Sequence, residues 1–333
     1  MIFDAAVAGS GPAGAAAAMT LARRGLRVAL FDPRPARSVA GETLVPSAKL
    51  LLAELGLWDR FDADGHPPCS GTRTAWGSDE IVESDFTRSP FGLGWHLDLA
   101  KFHKMLRDAA VDSGAMFVDT LPHARWTIDA TGRSSAIASA RGVKRVHEDA
   151  LIAHVATYRS AANTDDDSRT LIESTPDGWF HTALLPSRER VVAYFTDHSG
   201  AAGSQPAEIK NNRRAESPPL HLAKHIRRIL EEHGYEQTSE VRAIDARTSR
   251  LEQLHGDGWI ATGDAAISFD PLASQGMVAA LYSGVKAANA VISGELSEYE
   301  SAIRTLWDAF LVNRKAWYSV ETRWRTPFWE RRR

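Results

Sequence analysis

Two glycine-containing stretches, far apart in the chain, carry residue types that bind a phosphate-bearing cofactor. The first is GSGPAG at positions 9–14, which follows an apolar run and opens an alanine-rich one. This order predicts a strand, a tight loop and a helix whose free N–H groups and dipole attract a pyrophosphate. Gly9 permits the tight turn, Gly11 lets the backbone approach the phosphates, and Gly14 lets the helix pack closely against the strand.

An acidic residue beyond the helix supports the same interpretation. The next apolar run, Arg27 to Phe31, is predicted as a second strand and is followed by Asp32. A carboxylate at that position can accept hydrogen bonds from the adenosine ribose. Ser10 and Ala13 belong to the loop and are predicted to contact the cofactor together with its glycines. An ordinary glycine-rich turn needs none of these companions, so the combination predicts dinucleotide binding.

The second stretch, IATGDAAISFDPLASQGM at 260–277, distinguishes FAD from NAD. An extended FAD needs a distant contact for its ribityl chain and flavin ring. Here an apolar strand leads into a Gly-Asp pair, where the carboxylate can bond a ribityl hydroxyl. A following helix would aim N–H groups at the flavin edge on which negative charge accumulates during reduction. The predicted contacts are Gly263, Asp264, Pro271, Gly276 and Met277.

Composition is consistent with a globular cytoplasmic protein. The chain has 333 residues, of which 44% are hydrophobic, and a formal net charge of −3. That charge gives no reason to expect a nucleic-acid partner. Cys69 is the only cysteine, so an intrachain disulfide is impossible and cysteine-based metal spacings are absent. We expect no metal site, no secretion signal and no membrane span.

The motifs together resemble the FAD-dependent aromatic hydroxylase and halogenase superfamily. Besides the two stretches above, the matching segments are GETLVPSA at 41–48, GWHLDLAKFHKMLRDAA at 94–110, TIDATGRSS at 127–135 and ETRWRTPFWERR at 321–332. Within the superfamily, FDPLASQG and the tryptophan-rich tail look most like flavoproteins that hydroxylate a protein tryptophan during tryptophylquinone maturation. The resemblance implies an α/β (α+β) fold, in which a Rossmann-type FAD-binding domain carries an inserted antiparallel β-sheet substrate domain and a C-terminal helical segment.

This resemblance also implies how the chain is divided. The FAD-binding domain is discontinuous, with pieces at 1–60, 94–145 and 241–295. Residues 61–93 and 146–240 form the substrate domain, in which 178–197 is predicted as a hairpin turning at Ser187-Arg188. The tail is 296–333. Polar segments at 161–168 and 201–219 are predicted as mobile loops, and the connection at 120–123 is shorter than the small β-meander usual in the superfamily.

The resemblance implies several alternative reactions for the bound flavin. An aromatic hydroxylase reduces FAD with NAD(P)H or through a separate reductase, and O2 then forms a C4a-hydroperoxide that an electron-rich ring attacks. Tryptophan halogenases carry a lysine after the GExxxP loop, a Trp-x-Trp-x-Ile-Pro element and a Glu directly after Pro-Leu. This chain has no lysine between Lys49 and Lys101, has WFHTALLP at 179–186, and has Ala273 after Pro-Leu. Hydroxylation is therefore favoured over halogenation. A small-molecule aromatic hydroxylase and a non-enzymatic FAD-stabilised binding module stay as alternatives, as does prenyl-chain reduction, against which the many tryptophans argue.

Several residues are candidates for the catalytic centre. Glu42 is predicted near the flavin face, as a general base or a substrate-orienting carboxylate, with capping of a loop as the alternative. Ser274 and Gln275 are predicted to hydrogen-bond flavin or substrate, unless they only cap a helix. Relatives commonly have arginine where this chain has Leu99, which leaves Lys101 and Arg107 as the nearby cations, and Arg107 is assigned to the FAD phosphates or ring edge. His96 and His181, and the tryptophans at 76, 95 and 179, fit structural roles better than catalytic ones.

The tail leads to a prediction about the substrate. Residues 313–333 carry seven arginines and lysines, with Trp317 and Trp324 spaced seven apart after Phe310. This periodicity predicts a helix with aromatics packed inward and cations facing solvent. Exposed cations could steer an acidic partner. The predicted substrate is therefore a tryptophan side chain in a partner polypeptide; the oligomeric state is left open.

Overall fold

The computed structural model describes residues 2–32, 42–198 and 220–333. Its strands are β1 (Phe3–Ala8), β2 (Val28–Phe31), β3 (Thr43–Leu44), β4 (Pro68–Cys69), β5 (Gly71–Ala75), β6 (Val82–Asp85), β7 (Gly94–His96), β8 (Met116–Val118), β9 (Ala124–Asp129), β10 (Arg145–His147), β11 (Leu151–Ser160), β12 (Thr170–Thr175), β13 (Gly178–Leu184), β14 (Arg190–Asp197), β15 (Tyr235–Gln237), β16 (Arg242–Asp245), β17 (Ser249–Leu251), β18 (His255–Gly256), β19 (Trp259–Ala261) and β20 (Ile267–Ser268). Its helices are α1 (Pro12–Arg23), α2 (Ala48–Glu54), α3 (Trp58–Ala63), α4 (Leu99–Asp112), α5 (Ala136–Ala140), α6 (Lys224–Glu232), α7 (Gly276–Ser293), α8 (Leu296–Val320) and α9 (Pro327–Glu330).

A six-stranded sheet forms the first layer, in the order β18-β19-β9-β1-β2-β8. From β19 to β8 the strands are parallel, and β18 closes one edge as an antiparallel hairpin with β19. Successive side chains of β1 point to opposite faces, so Ala5 and Val7 face the core that contains α1, α4 and α7, while Ala6 faces the other side. Helix α5 packs on the opposite face, against Trp259 and Ala261. The parallel strand order with helices on both faces is that of the predicted Rossmann-type domain.

Close approach of α1 to its neighbours depends on small residues. A Cβ on Gly14 would lie 1.8 Å from the Gly9 carbonyl oxygen, and one on Gly284 of α7 would lie 2.2 Å from the Ala13 carbonyl oxygen. Gly9 itself has φ of +110° and would place a Cβ 2.1 Å from the Ala130 carbonyl oxygen. The predicted tasks of Gly9 and Gly14, a tight turn and close packing, are both met by this geometry.

The connection from β8 to β9 is unusually direct. These strands are separated by β2 and β1, so residues 119–123 must pass across the sheet face opposite the helices. Leu121 packs there against the small cluster of Phe3, Ala6 and Ala29. A single extended segment thus occupies the place where the superfamily resemblance implied a β-meander.

An eight-stranded sheet forms the second layer. Its path is β15-β11-β14-β13-β12-β5-β6, with β16 paired to β11, and β12–β5 is the parallel pair. The predicted hairpin is present, because β13 and β14 pair in antiparallel register around a turn in which Arg188 has φ of +65°. Because β16 belongs to this sheet, residues 242–245 lie with the substrate domain although the predicted boundary placed them in the FAD-binding domain.

The two faces of this sheet have different partners. One face carries Phe180, Val192 and Tyr158 and packs against α6. The opposite face carries Trp179, Phe195 and Ala193 and is covered in part by the C-terminal residues Tyr318, Phe328 and Trp329. Because side chains alternate along a strand, every second residue of β13 and β14 points into the interior between the two layers.

The tail differs from its prediction in two respects. The helix α8 ends at Val320, so Trp324 follows a turn and does not continue the helical face of Phe310 and Trp317. Two of its arginines are also buried instead of solvated: Arg314 binds Asp149 and Asp270, and Arg332 binds Asp197. Buried guanidinium groups require such partners, which the sequence spacing could not reveal because the carboxylates lie on distant strands and loops.

The segment at 161–168 is anchored, contrary to the expectation of a mobile loop. Asp165 is 2% exposed and accepts hydrogen bonds from the Arg190 guanidinium at 2.6 Å and the Tyr235 hydroxyl at 2.9 Å. A buried ion pair of this kind fixes the backbone on both sides of it. The other predicted loop, 201–219, lies outside the described residues.

No helix among residues 2–32, 42–198 and 220–333 combines the length and apolar character needed to cross a membrane.

Candidate flavin and substrate cavity

A cavity of about 630 Å³ lies between the two sheet layers. One wall comes from the parallel sheet and its loops, including Ser10, Gly11 and Asp264. The opposite wall comes from the eight-stranded sheet, including Trp179 and His181. Most predicted cofactor contacts line this cavity: Ser10, Gly11, Ala13, Asp32, Arg107, Asp264, Pro271, Gly276 and Met277. Gly9, Gly14 and Gly263 lie behind it, in the packing that supports the loops.

The glycine loop forms the nucleotide end of the cavity. A Cβ built on Gly11 meets no atom of the described chain within 4 Å, so this position opens directly into the cavity. The first-turn N–H groups of α1 lack partners within the helix, as in every α-helix, and lie beside the same space. The Asp32 carboxylate accepts hydrogen bonds from the Ser10 N–H at 2.9 Å and the Ser10 hydroxyl at 2.8 Å. The loop and the acid at the end of β2 are therefore fixed to each other.

Helix α4 contributes positive charge at this end. Asp98 caps the helix by accepting the N–H groups of Ala100 and Lys101, which orients the following turns. Lys104 and Arg107 line the cavity one turn apart, and the Arg107 guanidinium lies 5.4 Å from the centre of the Phe117 ring. The predicted assignment of Arg107 to the phosphate end is compatible with this placement.

The loop after β19 contributes Asp264, and two arginines brace it. Arg133 lies 3.6 Å from the Asp264 carboxylate and donates to the carbonyls of Arg247 and Phe269. Arg145 donates to the carbonyls of Asp264 and Ala265, and burial lowers the pKa of this guanidinium to about 10. Sequence reasoning assigned neither arginine, although Arg133 lies within the quoted TIDATGRSS segment.

Glu42 faces the cavity next to Thr43. Glu42 is an exposed residue, and part of its surface lines the cavity. Desolvation by the surrounding protein, assisted by repulsion from Asp264, raises the pKa of Glu42, and Arg133 opposes the shift. A carboxylate whose pKa is raised is a stronger base than an ordinary glutamate, as the predicted general base requires.

At the other end of the cavity, the turn before α7 places some of the predicted contact residues in the lining and leaves one outside it. Pro271, Ser274, Gly276 and Met277 line the cavity, and Ser274 has φ of +49°. Gln275 does not line it, and its side chain makes no capping hydrogen bond to α7. Of the three predicted catalytic residues, the geometry thus brings together Glu42 and Ser274 but leaves Gln275 outside. Its backbone carbonyl accepts the Ala279 N–H instead.

The eight-stranded sheet provides a mostly apolar wall, which also includes His181 and Asp245. Trp179 and Phe195 stack with ring centres 3.9 Å apart and an interplanar angle of 15°. Beside them lie small residues, Ala153, Val155 and Ala193. Trp179 is 1% exposed, as predicted for a core residue, and it also lies at the edge of the cavity. Trp76 and Trp95 pack in aromatic clusters and are not among the residues that line the cavity.

A buried hydrogen-bonded chain supports this wall from behind. The Trp179 indole N–H donates to the Tyr318 hydroxyl at 3.0 Å, and that hydroxyl donates to Asp270 at 2.8 Å. Asp270 also caps the turn at Pro271 by accepting the Leu272 N–H at 3.0 Å, and it accepts a hydrogen bond from Arg314 at 3.3 Å. Burial raises the pKa of Asp270. The chain links the cavity wall to the C-terminal segment.

These features fit FAD. The open position at Gly11 and the cations on α4 would hold the pyrophosphate, Asp32 the ribose, and Asp264 the ribityl chain, while the start of α7 would face the flavin ring. When bound, FAD supplies two-electron redox chemistry and, in its reduced form, reaction with O2. The chain's own part is to bind the cofactor and to enclose it between the two sheet layers.

Comparison with known proteins agrees with this assignment. Residues 3–121 match the FAD binding domain family. The FAD-dependent oxidoreductase LodB of Marinomonas mediterranea is 28% identical over 99% of this chain and 96% of its own length. Further relatives are named as a 1H-pyrrole-2-carbonyl-[peptidyl-carrier protein] brominase, a flavin-dependent halogenase and a tryptophan 2-halogenase.

Two solved structures have the same fold over the whole chain. The myxobacterial chondrochloren halogenase CndH superimposes with a TM-score of 0.81 and 24% identity, covering 100% of this chain and 86% of that one. The peptidyl tryptophan dihydroxylase QhpG, described as essential for tryptophylquinone cofactor biogenesis, superimposes with a TM-score of 0.76 and 22% identity, covering 100% and 79%.

Proposed function

We propose that this chain, a flavin-dependent oxidoreductase of the superfamily of FAD-dependent halogenases and aromatic hydroxylases, is a monooxygenase that hydroxylates an aromatic ring. The target we propose is a tryptophan side chain of a partner polypeptide, in the maturation of a quinone cofactor. The observation that carries the choice of hydroxylation is the make-up of the cavity. Among the described residues that line the cavity, the one lysine is Lys104, which lies on α4 at the nucleotide end. The wall formed by the eight-stranded sheet therefore contributes no lysine to the cavity.

The lining residues account for the steps asked of the protein. Trp179, Phe195 and the neighbouring alanines provide an apolar surface on which a flat ring can lie, and they keep water away from it. After oxygen is added, the ring must lose a proton to regain aromaticity. Glu42 is the carboxylate that we propose accepts this proton, because it faces the cavity and has a raised pKa.

Support for a protein-borne substrate comes from the relatives. QhpG is described as acting on peptidyl tryptophan, and its fold matches this chain throughout. The tail offers less support than its sequence suggested, because Arg314 and Arg332 are engaged in buried ion pairs. Lys315 and Arg325 remain exposed and could meet an acidic partner.

Mass spectrometry of partner polypeptides co-expressed with this protein tests the proposal. The expected result is one or more added oxygen atoms on a single tryptophan, absent when co-expression uses the FAD-binding variant Gly11→Val. Hydroxylation of free tryptophan or a small phenol, with every co-expressed partner unmodified, would refute the polypeptide substrate and leave the monooxygenase standing.

Halogenation is the competing function, and the names of the relatives are the observation that favours it. Turnover in the presence of chloride or bromide distinguishes the two. We expect oxygenated product without halogen. A halogenated indole ring would overturn the hydroxylase assignment.

A further inference from the structure

His181 occupies the centre of the sheet wall that faces the proposed substrate. It lies on β13, which is paired on both sides, and its cross-strand neighbours are Ile172 and Ala193. All three residues line the cavity, and so does Trp179, two positions earlier on the same strand face.

The imidazole has no hydrogen-bond partner within the part of the chain that the structure describes. Its polar neighbours are engaged elsewhere. His96 bonds the Ser168 carbonyl through Nε2 at 2.7 Å, and Arg190 is held by Asp165. Burial, together with repulsion from His96 and Arg190, lowers the pKa of His181 to about 4. At neutral pH the ring is therefore uncharged, with one nitrogen able to accept a hydrogen bond and the other able to donate one.

The sheet wall around this group is mostly apolar, and its other polar lining residue, Asp245, is paired with Arg247. Ala153, Val155 and Ala193 are small and leave room above the sheet, and Trp179 with Phe195 borders that room. A ring bound here would bury any polar atom on its edge. A buried donor without a partner is costly, so a ring with an N–H group binds well only where an acceptor meets it.

We propose that the neutral imidazole of His181 accepts a hydrogen bond from the ring N–H of the substrate, so that the site selects N–H-bearing rings such as indole. This inference rests on the proposed function for the identity of the substrate pocket. It concerns binding alone and requires no redox step.

Binding of two small probes to the FAD-loaded protein tests it. Indole and benzofuran have nearly the same shape, but benzofuran has an oxygen in place of the N–H group. We expect the wild-type protein to bind indole about tenfold more tightly than benzofuran. In His181→Phe this preference should disappear, and in His181→Asn, which keeps an acceptor, it should return in part.

His154→Phe is the matched control. His154 lies on the opposite face of the same sheet, on β11 opposite Tyr194, and burial also lowers its pKa. This variant should keep the preference. Flavin content verifies that each variant is folded, and nitrogen NMR of the wild-type protein should show the His181 acceptor nitrogen shifting on addition of indole but not of benzofuran.

Equal affinity for the two probes in the wild-type protein, no binding of either, or an indole preference that survives in His181→Phe would overturn the inference. These outcomes are separate from the oxygenation test. A protein that prefers indole through His181 yet adds no oxygen to any ring would refute the proposed function and leave the recognition role of His181 standing.

Discussion

Glu42 illustrates how far a single residue could be assigned from sequence. The GETLVPSA segment placed it near the flavin, but its protonation depends on Asp264 and Arg133, which lie far away in the chain. Likewise Arg133 and Arg145 were missed because their role is to brace a loop through carbonyl groups, which leave no trace in composition. Glycine positions were predictable because their steric demands are local.

The raised pKa of Glu42 leads to a pH prediction. A general base works only when deprotonated, so kcat/KM for the hydroxylated partner should rise with pH along a limb centred above the usual glutamate value of about 4.3. Glu42→Gln should remove this limb and lower kcat by roughly 100-fold or more. Glu54→Gln, on the exposed side of α2, is the control and should leave the profile unchanged. An unaltered acidic limb in Glu42→Gln would exclude Glu42 as the base.

Gly11 gives the most direct test of the cofactor assignment. Its missing Cβ opens into the cavity, so a valine there would occupy space needed by the pyrophosphate without disturbing the packing of the chain itself. Gly11→Val should lose FAD affinity by more than 100-fold, while Gly11→Ala should retain part of it. Ala53→Val on exposed α2 provides a matched control that keeps full flavin content. Normal flavin absorbance in Gly11→Val would contradict the assignment.

At the scale of elements, the strands and the hairpin were predictable from alternation, but the tail was not. Side chains along β13 and β14 point alternately to the two faces of the sheet, and this period of two is visible in the sequence. The end of α8 at Val320 is fixed instead by tertiary contacts: buried Glu321 accepts hydrogen bonds from the Gly77 N–H and the Ser174 hydroxyl. Burial alone would raise the pKa of Glu321, but hydrogen bonds from Arg323, Ser174 and Gly77 outweigh it and lower this pKa to about 2.

Arg314 should contribute strongly to the attachment of α8. Its removal leaves the carboxylates of Asp149 and Asp270 without their buried counter-ion. Arg314→Leu should therefore reduce the free energy of unfolding by about 3–5 kcal/mol. The next residue, Lys315, is exposed on the same helix. Lys315→Leu should change the free energy of unfolding by no more than about 0.5 kcal/mol. Urea titration of both variants would measure the difference, and equal stabilities would mean that the buried pair contributes nothing net.

For the whole molecule, the cavity makes the cofactor a bridge between the two sheet layers. Its lining includes Gly11 and Asp264 on one side and Ala193 and Phe195 on the other. The pairing of these distant segments was predictable only through the superfamily resemblance, because no local pattern reports which layer packs on which. The same is true of the direct β8–β9 connection across the parallel sheet.

Saturating FAD should therefore stabilise both layers together. When the concentration of free FAD is 100 times its dissociation constant, the free energy of unfolding rises by about 2.7 kcal/mol, which corresponds to a rise of several degrees in Tm. Hydrogen exchange should slow in β13 and β14 as well as in the glycine loop. Protection confined to the glycine loop would show that the eight-stranded sheet does not enclose the cofactor.

The wall behind Trp179 is closed by Tyr318, Phe328, Trp329 and Arg332, while the nucleotide loop begins at Gly9. During synthesis on the ribosome, the earliest cofactor contacts emerge long before the residues that finish the cavity. The wall behind Trp179 can therefore form only after residues 318–332 have been translated. A nascent chain halted before Trp329 would display an uncovered aromatic face, a feature by which chaperones and proteases could distinguish chains that lack this segment from chains that carry it.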